Sequence, residues 1–144
     1  MNGSLLFNAV DPSALQVLVI DDDDIARESM IELLRGEGHG VAGLPSPIGA
    51  TKRILSYKVD VVVIDVMMPS IRGDKLAALV RKNPRLKHVG VVLVTGASGE
   101  ELADLAGDVN AAAVVEKRNI HSELASAVRS AGKNPDKTTS LKPA

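Results

Sequence analysis

The chain has 144 residues, of which 45% are hydrophobic and 24% charged, enough for one domain with a core of its own. Lys+Arg 17 against Asp+Glu 18 gives a formal net charge of −1, which argues against a non-specific nucleic-acid binder. Cysteine is absent, which excludes disulfide frameworks, thiolate zinc sites and thiol catalysis, and aromatics at 1% with no Trp argue against base-stacking surfaces.

Residues 1–14 read as an N-terminal leader, where apolar Leu5-Leu6-Phe7 meets the turn signal Asp11-Pro12-Ser13. The start lacks the basic segment and cleavage pattern of a signal peptide, and no apolar run approaches the ~18 residues of a membrane span. The expectation is a cytoplasmic chain without membrane contact. From Val17 onward, short β-branched runs alternate with helical patterns. Val17 to Ile20 is a first strand, ending in Asp21, Asp22, Asp23 and Asp24. Ile25, Met30, Ile31, Leu33 and Leu34 form the apolar stripe of a first helix. Gly40 to Leu44 is a weaker strand, and Ile48, Ile54 and Leu55 mark a second helix that Gly49 weakens. Val59 to Ile64 is a strand ending at Asp65, followed by a helix carrying Leu76, Leu79 and Val80. Val89 to Val94 is a strand ending at Thr95; Ser98-Gly99-Glu100-Glu101 then has a capping-box pattern ahead of Leu102 and Leu105. Ala111 to Val115 leads to Lys117, after which Ile120, Leu124 and Val128 step by four and Gly132 sits where a helix would end. The polar stretch 133–144 reads as a flexible tail or truncated linker, so the globular unit spans 15–132. His39, His88 and His121 are too scattered for the clustered spacing of a zinc site.

Continuous apolar runs suggest strands buried on both faces, and five βα units imply right-handed crossovers in a three-layer α/β sandwich around a parallel sheet. Ligands of such sheets bind beyond the carboxyl ends of the strands. Four of the predicted strands run there into Asp21 to Asp24, Asp65, Thr95 and Lys117. Taken singly, each has a structural reading: Asp23 or Asp24 as a helix N-cap, Asp65 as a turn former, Thr95 as a local hydrogen-bonding residue, Lys117 as a solvated charge. Together they place carboxylates, a hydroxyl and an ammonium on one rim. Clustered carboxylates repel unless a cation neutralises them, and oxygen donors of this type suit Mg²⁺. A carboxylate is also a nucleophile towards phosphorus, and Mg²⁺, Lys117 and Thr95 would meet the charge on the phosphoryl oxygens.

The stretches VLVIDDDD (17–24), DVVVIDVMMPSIRG (60–73), VVLVTGAS (91–98) and AVVEK (113–117) resemble the receiver domain of bacterial two-component response regulators, of the stand-alone chemotaxis type. The spacing of Asp65, Pro69 and Gly73 is specific, and the combination of all four stretches is stronger still. The resemblance implies a flavodoxin-like doubly wound (βα)5 fold with a five-stranded parallel sheet in the order 2-1-3-4-5. It implies Asp65 as phosphoacceptor, Asp22 as a direct Mg²⁺ ligand, Asp21 acting mostly through metal-bound water, and the Met67 backbone carbonyl as the third protein ligand. Thr95 would move towards the phosphoryl group and Lys117 would pair with it. The implied partners are a sensor histidine kinase or phosphotransfer protein and a downstream protein target, with no direct nucleic-acid contact, in a monomer or weak homodimer. The chain would catalyse only its own phosphorylation and dephosphorylation, and switch the face made by the fourth helix, fifth strand and fifth helix.

Two positions depart from the family pattern. Arg118 follows Lys117, where the family commonly has Pro after a cis bond. A non-proline cis bond costs about 2.5–4 kcal/mol, so the loop is expected to be trans and differently shaped, or strained for function. Val114 stands where the family often has an aromatic whose rotation follows the Thr, and Val has no ring to swing. Gly96 and Gly99 keep the loop after the fourth strand permissive. Met67 and Ala97 flank the site without a group to orient water, which predicts slow autodephosphorylation. These departures keep open a phosphorylation-independent binding module of the same fold. A haloacid-dehalogenase-like phosphatase is the third reading, echoed by Asp21-x-Asp23, Thr95 and Lys117. It needs a later acidic motif at a strand end, and residues 118–144 hold only Glu123 and Asp136; Ile25 also replaces its usual Thr or Val.

Overall fold

The computed structural model describes residues 13–96, 104 and 111–133. The elements are β1 (Gln16–Ile20), α1 (Asp24–Gly36), β2 (Gly40–Leu44), α2 (Ala50–Ser56), β3 (Val61–Asp65), α3 (Gly73–Lys82), β4 (Gly90–Thr95), β5 (Ala113–Glu116) and α4 (Ile120–Lys133), with 3₁₀ turns at Pro84–Leu86 and Lys117–Asn119. The leader before Ser13, the capping-box segment with Leu102 and Leu105, and the tail past Lys133 lie outside the described residues.

The five strands pair in parallel in the order β2-β1-β3-β4-β5. Val17 lies opposite Val61, Val61 opposite Gly90, and Val92 opposite Ala113. Alternation of side chains across each strand builds two core layers. Leu18, Ile20, Val62, Ile64, Val91 and Leu93 pack with Ile54 of α2 and Leu76 and Val80 of α3. Val19, Val63, Val92 and Val94 pack on the other face with Met30 and Leu34 of α1 and Leu124 and Val128 of α4. This two-sided burial is why the strands read as unbroken apolar runs.

The helical stripes are narrower than the sequence pattern suggests. Ile25 is 82% exposed and Leu79 58%. At about 100° per residue, Ile25 falls opposite Leu34, and Leu79 lies off the arc of Leu76, Ala77 and Val80. Ile48 is also exposed; it precedes α2, whose N-cap Gly49 has φ 80°. Gly132 does not end the last helix, which runs on to Lys133. A Cβ there would lie 2.7 Å from Leu15 Cδ1, so the missing side chain lets the entry to β1 pack against α4.

Candidate functional site

The strand order sets β1 between β2 and β3, with β4 beyond β3. Asp21 follows β1, Asp65 closes β3, Thr95 closes β4, and Lys117 follows β5. Asp21, Asp65 and Thr95 are buried, while Asp22 is exposed. The Asp21 N–H donates to the Leu44 carbonyl at 3.2 Å, and Asp21 Oδ1 accepts from the Asp23 N–H at 2.9 Å. These bonds aim the carboxylate into the rim. Carboxylate oxygens of Asp21, Asp22 and Asp65 come within 4.8 Å of one another. Lys117 Nζ stands 3.3 Å from Asp65 Oδ1 and 3.8 Å from Asp21 Oδ2.

The other two aspartates of the run go elsewhere. Asp23 is the N-cap of α1, accepting from the Ile25 and Ala26 N–H groups, so its structural reading holds. Asp24 pairs with Arg27 at 2.6 Å. Met67 borders the acids through its backbone, donating its N–H to Asp65 Oδ1 at 3.4 Å. Its side chain is exposed and lies against Arg72.

Lys117 reaches the acids from the start of a 3₁₀ turn, and no cis peptide occurs among the described residues, so the Lys117–Arg118 bond is trans. Arg118 points away, pairing with Glu116 at 2.9 Å. Val114 lies opposite Leu93 and packs half-buried against the α2–α3 core layer, so that position of β5 holds no ring. Ala97 and Gly99 lie outside the described residues.

Burial pushes the Asp21 carboxyl up to about 6 from an ordinary 3.8; the Asp23 N–H pulls it back, Asp65 raises it further and Lys117 again opposes the rise. Asp21 Oδ2 is buried without a hydrogen-bond partner. Three carboxylates facing one ammonium leave a net negative, oxygen-rich site open to water on the Asp22 side. That donor set fits a hard divalent cation, which binds through carboxylates and retains several waters.

Sequence reasoning reaches Gly73 only as a spacing and misses Arg27. Gly73 sits where an added Cβ would overlap the backbone carbonyl oxygen of Asp65, and its N–H donates to the Val66 carbonyl at 2.8 Å. The spacing of Gly73 from Asp65 thus reflects a backbone-on-backbone approach. Arg27 donates to the Asp21 carbonyl at 2.8 Å as well as to Asp24. Its only signal in the sequence is an i,i+3 pairing with Asp24.

The family model described as response regulator receiver domain matches residues 17–129. The transcriptional regulatory protein FixJ of Azorhizobium caulinodans is 36% identical over 118 residues, which are 82% of this chain and 55% of FixJ. The 3',5'-cyclic-nucleotide phosphodiesterase regA of Dictyostelium discoideum is 36% identical over 87 residues, 59% of this chain and 11% of regA. The chain thus aligns with about half the length of the first and about a tenth of the second. Among solved structures, the response regulator protein TrrA of Thermotoga maritima, in complex with Mg(2+)-BeF, has a TM-score of 0.69 at 29% identity, covering 80% of this chain and 96% of that one. Chemotaxis protein CheY4 of Vibrio cholerae shares the fold, with a TM-score of 0.66 at 23% identity over 72% of this chain and 87% of its own.

Proposed function

The chain belongs to the response regulator receiver domain family, and from that premise we propose that Asp65 accepts a phosphoryl group from a sensor histidine kinase or phosphotransfer protein. The observation that carries this reading is the meeting of buried Asp65 with Asp21, Asp22 and the Lys117 ammonium, 3.3 Å away. A carboxylate oxygen of Asp65 attacks the phosphorus. A P–O bond forms as the P–N bond to the donor imidazole breaks, and the electron pair leaves on that nitrogen, which takes up a proton. Lys117 and the Thr95 hydroxyl meet the phosphoryl oxygens. Asp21, Asp22, Asp65 and the Met67 carbonyl would hold Mg²⁺, which when bound supplies positive charge between carboxylates and phosphoryl group. That TrrA was solved with Mg(2+)-BeF supports this choice of ion.

The product carries about −1.5 to −2 charges at pH 7 in place of the single negative charge of the Asp65 carboxylate. The face that responds comprises β5, α4 and the predicted helix before β5, and it binds a downstream protein. The receiver unit spans 15–132, with a leader before it and a tail or linker after it. No helix among the described residues is long and apolar enough to cross a membrane; a cytoplasmic setting suits a chain that meets a kinase.

Intact-mass spectrometry after incubation with acetyl phosphate and Mg²⁺ tests the proposal. One phosphoryl adduct is expected, lost in Asp65→Asn and without Mg²⁺. Absence of an adduct, together with amide NMR shifts unmoved by beryllofluoride, would leave the phosphorylation-independent binding module, the reading that ringless Val114 favours.

A further inference from the structure

Four consecutive aspartates leave β1, yet Asp21 and Asp22 alone among them join Asp65 in the acidic cluster. We propose that Arg27 is the positioning residue that divides them, its two-pronged guanidinium locking the peptide between Asp21 and Asp22. The inference rests on the reading that these acids hold Mg²⁺.

The Asp21 carbonyl belongs to the planar peptide group that joins Asp21 to Asp22. Arg27 Nη1 donates to that oxygen at 2.8 Å. Holding it fixes the plane, and with it the direction in which each neighbouring carboxylate departs. The other side of Asp21 is tied as well, its N–H to the Leu44 carbonyl at the end of β2. Arg27 Nη2 takes Asp24 at 2.6 Å, which keeps a further carboxylate out of the cluster, while Asp23 is spent on the α1 cap.

The arginine is itself held. Its side chain is only 12% exposed. A Cβ on Gly43 of β2 would lie 3.1 Å from Arg27 Cδ and 3.4 Å from Cγ, so the stem runs across a bare stretch of that strand. A planar fork on a packed stem loses little further freedom on bonding two oxygens at once, which a lysine ammonium cannot match.

Position and charge predict opposite effects. By Coulomb's law alone, removing a cation beside the site tightens Mg²⁺ binding. Loss of a partner that orients a metal ligand typically weakens it by 10–100-fold. The test is a Mg²⁺ titration of the full chain by amide NMR, with unfolding curves confirming that each variant is folded at the working temperature. Arg27→Met keeps the stem and removes fork and charge; about 10-fold weaker Mg²⁺ binding is expected. Arg27→Lys keeps the charge, and about 3-fold or greater weakening should persist. Unchanged or tighter binding in Arg27→Met overturns the proposal. Should that variant not fold, wild-type affinity in Arg27→Lys overturns it. A wild-type chain that binds no Mg²⁺, or binds it equally after Asp22→Asn, removes the underlying metal reading instead, and this inference falls with it.

Discussion

At Asp21, function opposes stability. Its folded-state pKa is about 6 against an ordinary 3.8, chiefly because the carboxylate is buried. Between these values the folded chain binds more protons than the unfolded one, so metal-free stability falls as pH rises through that window. The full penalty is present above it, on the order of 2–3 kcal/mol. Asp21→Asn removes the charge and keeps the shape. In urea denaturation with EDTA, this variant should exceed wild type by about 2 kcal/mol at pH 7.5 and by little at pH 4. An equal difference at both pH values would show that the buried charge is not the cause. Mg²⁺ should narrow the gap from the wild-type side, since a ligand at 100 times its dissociation constant stabilises by about 2.7 kcal/mol. The acids, Thr95 and Lys117 were legible in the sequence because a parallel sheet gathers whatever its strands end in. Arg27 was not, because its role depends on a long side chain folding back over a turn and on Gly43 leaving it room.

Among the elements, strands were easier to read than helices. A β-branched run buried on both faces leaves one interpretation, whereas a helical stripe is defined by angle, and Ile25 and Leu79 fall off the buried arc although both are apolar. The glycines illustrate a second limit: sequence shows where they are but not what a side chain would meet. Gly73 opens α3 against the carbonyl of Asp65, whereas Gly36 closes α1 with nothing within 4 Å of an added Cβ. Gly73→Ala should therefore cost about 3 kcal/mol, because no rotamer relieves a clash with backbone, and it should also reduce phosphoryl acceptance by displacing Asp65. Gly36→Ala should be neutral or stabilise by up to about 1 kcal/mol through helix propensity. Urea midpoints of the two variants check this; similar losses at both positions would mean that helix-end glycines matter here for backbone freedom rather than for contact.

Across the described residues, one sheet serves two cores. Each inner strand sends alternate residues to each layer, so opening either face strips the same strands of their packing. Unfolding should then be a single transition seen alike by far-ultraviolet circular dichroism, which reports the helices, and by fluorescence of Tyr57, the chain's one tyrosine, which packs on the α2–α3 layer. Ile54 of α2 and Ile31 of α1 sit in opposite layers. Ile54→Val and Ile31→Val should each cost about 1 kcal/mol with an unchanged urea slope. Separated by the sheet, they share no contact, so the double variant should lose the sum to within about 0.5 kcal/mol. Two resolved transitions, or a double variant that shifts only one probe, would mean that the layers open separately. A single transition instead places the buried acids at the end of a framework that both layers hold, where the stability lost at Asp21 is shared by the entire fold.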